Sequence, residues 1–275
     1  MNFIKHNLKK LIFGAFVIIL GSIHLIPIYI TTTVAFKKKT DLSSRWLLPT
    51  ELYFDNFIHA FEKAELLLAM KNSFIITACS IVLITTLGAL AAYPLARHKS
   101  VTNKVILNLI LAVMMVPPLS ILVPLLTTLT RIHGINTYWG IILTLTTFNL
   151  PLSIFLYSNF IHTIPKELEE AAMIDGCSKF RTFRTVIFPL LKPITATVII
   201  LTGVGIWNDY QFSVYLLQSQ KMKVVTLAIS SFFSTSSSNL GAAAAGAIIA
   251  VLPVIVLYIF LQRYFIAGMT SGSIK

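Results

Sequence analysis

Four long stretches of this chain contain no Asp, Glu, Lys or Arg, and they constrain its fold more than any other feature. A helix needs about 20 predominantly apolar residues to cross a bilayer core of about 30 Å, and each stretch is longer than that. Backbone groups in lipid must be hydrogen-bonded within their own segment, so these stretches are expected to be α-helices. They cover residues 11–36, 72–96, 105–130 and 132–165.

The rest of the chain predicts two more membrane spans. One runs over about 188–208, and the other follows a serine-rich stretch, 230–238, that divides the uncharged run 224–262. The chain is only 12% charged, whereas a soluble domain carries about 25%. We therefore expect an all-α, polytopic membrane protein, a single transmembrane domain over 1–275. Its spans are predicted at about 11–36, 72–96, 105–130, 137–160, 188–208 and 240–262, with a loop at 161–187 between the fourth and fifth.

The net charge of +12 does not indicate nucleic-acid binding, because the basic residues lie in the connections between spans. With the N-terminus inside, thirteen Lys and Arg fall on cytoplasmic segments and nine on outer ones, which favours both termini in the cytoplasm. Three outer lysines at 37–39 run against this trend. The first apolar stretch is longer than the 7–15 residues of a signal-peptide core. We therefore expect a retained first span.

Prolines punctuate the spans and have two readings. A proline removes a helix donor and clashes with the preceding turn, so it can bend or break a helix around a moving pathway. Membrane helices also tolerate proline without such a role. The sequence leaves both open for Pro94, Pro117, Pro118, Pro124, Pro151 and Pro253.

The composition of the span interiors argues against an ion gradient as the energy source. Ion-coupled transporters need ionisable groups inside the membrane, and here only His24 is of that kind. No Gly is followed by Lys, so this chain has no P-loop and would need another chain to bind ATP. The histidines are scattered and the two cysteines, Cys79 and Cys177, lie in different segments. We therefore expect no catalytic residues, no metal and no cofactor on this chain.

The loop at 161–187 has a clear local pattern. Pro165 suits a first helical turn, and the Glu residues at 167, 169 and 170 are favoured at the positive end of a helix. Gly176 is placed to end that helix, and Ser178 to cap a second one that carries Phe180 and Phe183. Proline at 189 is expected to open the fifth span. The pattern predicts an exposed elbow, whose first helix has one face that bears Leu168, Ala171, Ala172 and Asp175.

This loop resembles the cytoplasmic signature loop of binding-protein-dependent ABC importer permeases. In that signature Glu-Ala-Ala is followed after three residues by Gly, and after nine more by Ile-x-Leu-Pro. Here Glu170, Ala171 and Ala172 precede Gly176, and residues 186–189 read Val-Ile-Phe-Pro. The stretches 72–73, 91–97, 164–168, 207–210 and 262–268 resemble the carbohydrate branch, which includes the smaller maltose permease subunit.

The resemblance implies a type I ABC importer permease fold and a set of partners. The elbow would be the coupling helix that sits in a cleft of an ATPase subunit, with Glu170, Ala171, Ala172, Asp175 and Gly176 transmitting its movement. A second, similar but different permease chain would enclose the other half of the pathway. Two ATPase subunits would hold ATP and Mg, and an extracytoplasmic solute-binding protein would deliver a sugar or an oligosaccharide. An ion-coupled secondary transporter is the alternative.

Two groups of polar residues are candidates for the substrate pathway. Trp207, Asn208, Asp209 and Tyr210 end the fifth span, where an aromatic ring beside amide and carboxylate groups suits sugar hydroxyls. An interfacial anchor with capping residues is the alternative. Asn149 lies within the fourth span. Hydrogen bonding between helices would explain it equally well.

Overall fold

A computed structural model describes residues 2–98, 100–233 and 239–271, with side chains for 10–98, 100–233 and 239–264. All regular elements in these ranges are helical. The α-helices are α1 Asn2–Ala35, α2 Asp55–Lys63, α3 Leu66–Arg97, α4 Val101–Val113, α5 Leu122–Arg131, α6 Tyr138–Thr163, α7 Glu167–Ile174, α8 Lys179–Thr182, α9 Phe188–Leu190, α10 Lys192–Trp207, α11 Ser213–Leu216, α12 Val225–Ser230 and α13 Leu240–Ser271. Short 3₁₀ helices cover Pro118–Ile121, Gln220–Met222 and Ser231–Phe233, and a π-helix covers Phe183–Ile187. Residues 234–238 of the predicted serine-rich divider lie outside the described ranges.

Among the described residues, four helices are long and apolar enough to cross a membrane, and the number rises to six if each of two bent helix pairs is one span. The straight ones are Lys10–Ala35, Leu66–Arg97, Tyr138–Thr163 and Leu240–Tyr264. The bent pairs are Val101–Val113 with Pro118–Arg131, and Lys179–Leu190 with Lys192–Trp207. The six predicted spans thus each correspond to one of these helices or pairs.

The third span is broken rather than straight. Its two halves differ in direction by 93°, and Pro117 and Pro118 lie at the break. Pro117 has an extended backbone, φ −59° and ψ 125°, because the residue before a proline is driven out of the helical region. By contrast, helices continue through Pro94, Pro151 and Pro253. Of the two readings that the sequence left open, a break therefore applies to the Pro117-Pro118 pair, and tolerance applies to Pro94, Pro151 and Pro253.

A bend divides the fifth span, and its longer helix, α10, begins at Lys192. The helix that ends at Leu190 is bent by 72° from the one that starts at Lys192. The sequence placed the start of the span at Pro189, but Pro189 lies in α9, before the bend, and does not open α10. Pro193 lies in the first turn of α10, where its missing N–H donor leaves nothing unsatisfied. A proline there cannot extend the preceding helix, so the chain turns at Leu191.

The described residues form two compact units. One comprises Met1–Leu66 and Ala228–Val251, and the other Leu67–Leu227 and Leu252–Lys275. The single domain expected from the sequence therefore stays a prediction. In the first unit, Asn56 is buried, and its amide donates to the carbonyls of Ala35 at 2.9 Å and Lys37 at 2.8 Å. It thereby satisfies carbonyls at the C-terminus of α1, which a helix otherwise leaves without partners.

The second unit has its core between α3, α6 and α10. Ile84, Tyr157 and Val198 are fully buried there. Gly88 of α3 lies against Ser153 of α6, whose hydroxyl donates to the Ile84 carbonyl at 3.1 Å. A glycine at this position lets two helix backbones approach closely, as small residues do in membrane helix pairs.

Candidate coupling site and substrate pathway

The signature loop forms the predicted elbow of two short helices. Helix α7 carries Glu167, Glu169 and Glu170 in its first turn, where the N-terminal dipole stabilises carboxylates. Helix α8 is capped by Ser178, whose hydroxyl accepts from the Arg181 amide at 3.4 Å. The start of α8 lies where the sequence predicted it, whereas α7 begins at Glu167, so Pro165 precedes the helix and does not lie in its first turn.

Gly176 ends α7 in the way that its spacing predicted. Its φ is +83°, a left-handed conformation that costs other residues about 1–2 kcal/mol. The Cys177 amide donates to the Ala172 carbonyl at 2.9 Å, and the Gly176 amide to the Met173 carbonyl at 3.0 Å. These two bonds form a Schellman motif. Gly176 thus terminates the helix and sets the direction in which the chain leaves it.

A buried ion pair fastens α7 to the end of α3. The Arg97 Nε donates to the Glu169 Oε1 at 2.5 Å, and both side chains are only 8% exposed. The Tyr93 hydroxyl donates to the other carboxylate oxygen, Oε2, at 2.7 Å. Arg97 also donates to the Ile164 carbonyl at 3.0 Å. Glu169 therefore accepts bonds on both oxygens and joins α7 to α3.

The ion pair between Arg97 and Glu169 determines which face of α7 is exposed, and this face differs from the one that the sequence predicted. The sequence grouped Leu168, Ala171, Ala172 and Asp175 on one exposed face, but Ala172 is 8% exposed and lies on the inner side with Glu169. Residues 169 and 172 are three apart, which places both on the side that the ion pair holds against the protein. Ala172 therefore packs inward in this structure.

The outer face of the elbow is apolar and exposed. Leu168 is 44% exposed and Ile174 86% exposed, and Ala171 lies between them on the surface. Phe180 of α8 is 67% exposed. The remaining members of this surface are Glu170, Asp175 and Gly176. Four of the five residues predicted to couple to an ATPase therefore lie on this exposed face of the elbow.

Sequence reasoning did not identify the role of Glu169, Arg97 or Tyr93. The sequence pattern presents Glu169 only as one of three acids at a helix start. The one local signal was that Tyr93 and Arg97 are four residues apart, hence on one face of α3, at the end of a span. Pairing Arg97 and Tyr93 with a carboxylate that is 72 and 76 residues away, respectively, requires the tertiary structure.

Trp207 lies in a different environment from the polar residues that follow it. It is 7% exposed and lines an apolar groove of about 540 Å³ together with Phe74, Gly203, Pro253 and Leu257. Neither Asn208 nor Tyr210, both exposed, lines this groove. The four residues predicted to act together therefore do not share one surface in this structure.

Asp209 accepts hydrogen bonds from residues that follow it in the chain. Its carboxylate accepts from the Ser213 amide at 2.9 Å, the Ser213 hydroxyl at 2.6 Å and the Phe212 amide at 3.4 Å. Its carbonyl accepts from the Thr226 hydroxyl at 2.6 Å. This arrangement matches the capping alternative, because the carboxylate satisfies donors at the start of α11.

Asn149 lines a cavity beside the broken third span. The cavity has a volume of about 430 Å³ and brings Asn149 together with Thr144, Thr147 and Phe148 of α6 and Pro118 at the break. The Asn149 amide donates to the Leu145 carbonyl at 2.8 Å, so this bond lies within α6 and not between helices. An amide and two hydroxyls in an otherwise apolar cavity can orient a polar ligand.

The fold and the loop together define a multi-pass helical membrane protein with an exposed elbow between its spans. Residues 84–271 match the model of the family described as the binding-protein-dependent transport system inner membrane component. The chain belongs to this family. It is therefore a permease subunit of an ABC importer.

Relatives of known type are similar over nearly the full chain. The melibiose/raffinose/stachyose import permease protein MelC of Bacillus subtilis is 46% identical over 94% of both chains. The probable starch degradation products transport system permease protein AmyC of Thermoanaerobacterium thermosulfurigenes is 33% identical over 98% of this chain and 99% of its own.

A solved structure has the same fold. A bacterial ABC transporter involved in the import of the acidic polysaccharide alginate matches with a TM-score of 0.78 at 20% identity. The match covers 94% of this chain and 97% of that one. The all-α, type I ABC importer permease fold expected from the sequence is thereby confirmed.

Proposed function

We propose that this permease imports a sugar or an oligosaccharide, and that residues 161–187 couple its movement to a separate ATPase. The observation that carries the coupling is the elbow itself: an exposed apolar face on α7, held in place by the buried pair of Arg97 and Glu169. A rigid attachment is what a coupling element needs, because force on α7 then reaches α3 directly. The cargo class is supported by the names and the identity of the relatives.

The proposal includes the partners that such a permease needs. A second, different permease chain completes the pathway, two ATPase subunits hold ATP and Mg, and a solute-binding protein delivers the cargo. Membrane lipid surrounds the spans, and nucleic acid is not a partner. This chain holds no cofactor and has no catalytic residue of its own. Both termini lie in the cytoplasm, which places the elbow on the side where ATP is available.

Glu170, Ala171, Asp175 and Gly176 are proposed to contact the ATPase, while Ala172 supports the helix from within. Ala171 is small and exposed between Leu168 and Ile174, so a partner can approach α7 closely there. A bulky charged side chain at this position would block that approach and still leave the interior of the permease unchanged.

The test is a comparison of Ala171→Arg with Thr163→Arg in the assembled importer. Thr163 is exposed at the end of α6, eight residues before Ala171 in the chain, so both variants add one positive charge at an exposed position. We expect Ala171→Arg to lose co-purification of the ATPase and sugar uptake, and Thr163→Arg to keep both. Equal retention of the ATPase by both variants would refute coupling through this face.

A second test concerns the cargo and the energy source. Cells that lack the permease gene should regain uptake of radiolabelled melibiose, raffinose or stachyose when the gene is restored, since MelC is similar over nearly all of this chain. Uptake should stop when cellular ATP is depleted and persist when an uncoupler removes ion gradients while ATP is maintained. The opposite pattern would indicate an ion-coupled secondary transporter.

The place of the substrate within this chain is proposed from the cavity beside Pro118. Asn149, Thr144 and Thr147 give it hydrogen-bonding groups, and Phe148 gives it an aromatic surface. Trp207, Asn208, Asp209 and Tyr210 stay candidates for the outer part of the pathway. Replacing Asn149 by Leu should raise the KM for uptake while the ATPase remains bound.

A further inference from the structure

The segment that follows α1 is folded back along that helix. The Tyr53 amide donates to the Phe36 carbonyl at 3.0 Å, so the segment starts and ends at the C-terminus of α1. Halfway along it, the Trp46 carbonyl accepts from the Tyr29 hydroxyl at 2.8 Å. Tyr29 precedes the helix end, Ala35, by six residues, which corresponds to about 9 Å at 1.5 Å per residue. The segment therefore returns to the level of the apolar part of α1.

The residues at the returning point are apolar and exposed. Trp46 is 57% exposed, Leu47 59% and Leu48 70%. Helix α1 itself is a candidate span, and no part of its apolar window is buried within the described chain. A tryptophan beside two leucines, at the end of a span, has the chemistry of the membrane–water interface.

Basic residues form a pocket at the end of the same helix. The pocket, of about 320 Å³, is lined by Lys37, Lys38, Lys39 and Arg45, together with Asp41 and residues 239–241. These are the lysines that ran against the charge trend of the outer segments. They lie where α1 ends, so the negative end of the helix dipole favours them as well.

Two of the four cations already have a carboxylate partner, and the ammonium group of Lys37 lies 3.8 Å from the Asp41 carboxylate. Lys37 is 6% exposed and donates to the Ser43 hydroxyl at 2.5 Å and the Ser44 carbonyl at 2.8 Å. Lys38 pairs with Glu51 at 2.6 Å, and this hydrogen bond and charge raise the pKa of Lys38 and lower that of Glu51. Lys39 and Arg45 are exposed and form no ion pair with any residue that the structure describes. They are the cations left to bind an external anion.

We propose that this segment is an interfacial lipid-binding site: Trp46, Leu47 and Leu48 enter the bilayer surface, and Lys39 and Arg45 bind the phosphate of an anionic phospholipid. The apolar residues and the two cations lie at the two depths that one phospholipid molecule would occupy. In a bilayer the headgroup phosphate lies just outside the apolar layer that the leucines would enter. The cationic pocket lies at the end of α1, about 9 Å along the helix from the level of Tyr29, which contacts Trp46. An acidic surface of a protein partner would match the cations but would leave three apolar residues beside a span without lipid.

The experiment uses the purified permease complex in nanodiscs that contain a small fraction of brominated phospholipid. Bromine quenches tryptophan only on close approach, and subtraction of a Trp46→Phe variant isolates the signal of Trp46 from those of the other tryptophans. Brominated phosphatidylglycerol is compared with brominated phosphatidylcholine at equal mole fraction. We expect Trp46 to be quenched by both, and more strongly by the anionic lipid.

The cluster is tested by Lys39→Gln with Arg45→Gln, matched by Lys63→Gln with Lys71→Gln. Lys63 and Lys71 are exposed basic residues further along the chain, so both pairs of substitutions remove two charges. In the first variant the preference for the anionic lipid should fall about fivefold per charge removed, the effect of one basic residue near an anionic surface. The matched variant should keep the preference, and both should unfold at the wild-type temperature.

Three results would overturn the proposal. Absence of Trp46 quenching by either lipid would place the segment outside the bilayer surface. An equal loss of preference in both variants would mean that overall charge, and not this pocket, attracts the lipid. If the first variant keeps its lipid preference but binds the solute-binding protein more weakly, the pocket is a protein-docking surface.

Discussion

Removing the Glu169 carboxylate, in a Glu169→Ala variant, is expected to release α7 from the end of α3. The carboxylate accepts from Arg97 at 2.5 Å and from Tyr93 at 2.7 Å. Without it, the Arg97 guanidinium stays in an environment where it is 8% exposed and has lost its counter-charge. Local separation of α7 from α3 would then expose the unpaired Arg97 guanidinium to water, so this separation is favoured in the variant.

The magnitude follows from the cost of leaving one partner of a buried pair unpaired, about 3–5 kcal/mol. Arg97 retains its bond to the Ile164 carbonyl, so the lower end of that range applies here. About 3 kcal/mol corresponds to a shift on the order of 100-fold in the ratio of docked to released α7. A helix that was released rarely would become accessible in a measurable fraction of molecules.

Limited trypsin cleavage after Lys166 measures this release, because Lys166 is exposed immediately before α7. When opening is faster than cleavage, the cleavage rate follows the open population. Cleavage after Arg131, outside the loop, serves as the internal reference. The matched control is Glu170→Ala, which removes an exposed carboxylate from the same helical turn without changing the residues next to the cleaved bond, and it should leave the rate unchanged.

A paired substitution separates the charge from the packing. Arg97→Met combined with Glu169→Leu replaces both partners by apolar groups of similar volume, a change that is often neutral. We expect cleavage in this variant to return near the wild-type rate. The reasoning is refuted if Glu169→Ala matches Glu170→Ala within twofold, or if the paired variant is as sensitive as Glu169→Ala.

Three further predictions concern single positions. Gly176→Ala should destabilise α7 by about 1–2 kcal/mol, because φ is +83° with open space around the added methyl; thermal unfolding compared with Gly176→Asn, which tolerates this conformation, measures it. Gly88→Ala should cost about 1–3 kcal/mol by overpacking against Ser153, and moving the glycine by adding Ser153→Gly should recover most of the unfolding temperature. Asp209→Ala should lower stability by about 1 kcal/mol by uncapping Ser213, whereas Asp209→Asn should preserve the KM for sugar uptake.

Each of these has an outcome that contradicts it. Equal unfolding temperatures for the alanine and asparagine variants at 176 would show that backbone strain is not the cause. Failure of the Ser153 substitution to rescue Gly88→Ala would point to a contact other than Ser153. A large rise in KM for Asp209→Asn would assign the carboxylate to substrate binding in place of capping.

Local features of the elbow were predictable from the sequence because each depends on neighbouring residues. A glycine at a helix end and a serine before a helix act through backbone groups within four residues. The caps at Gly176 and Ser178 therefore lie where the sequence predicted them. The Pro117-Pro118 break is local in the same sense.

Pairings across the chain were not predictable in this way. The buried Asn72 amide donates to the carbonyls of Lys221 at 2.9 Å and Lys223 at 2.8 Å, and its oxygen accepts from the Tyr138 hydroxyl at 2.5 Å. The sequence shows Asn72 only as a polar residue at the start of a span. Its partners lie 66 to 151 residues away, a separation at which spacing along the chain carries no information.

The sequence by itself determined that the chain crosses a membrane, how many spans it has and which loop carries the signature. These follow from uninterrupted apolar length and from the spacing of a short motif, both of which are properties of the chain before it folds. Only the tertiary structure decided which face of α7 is free. Glu169 and Glu170 are adjacent and chemically alike, and the side on which Arg97 and Tyr93 lie buries the first and leaves the second exposed.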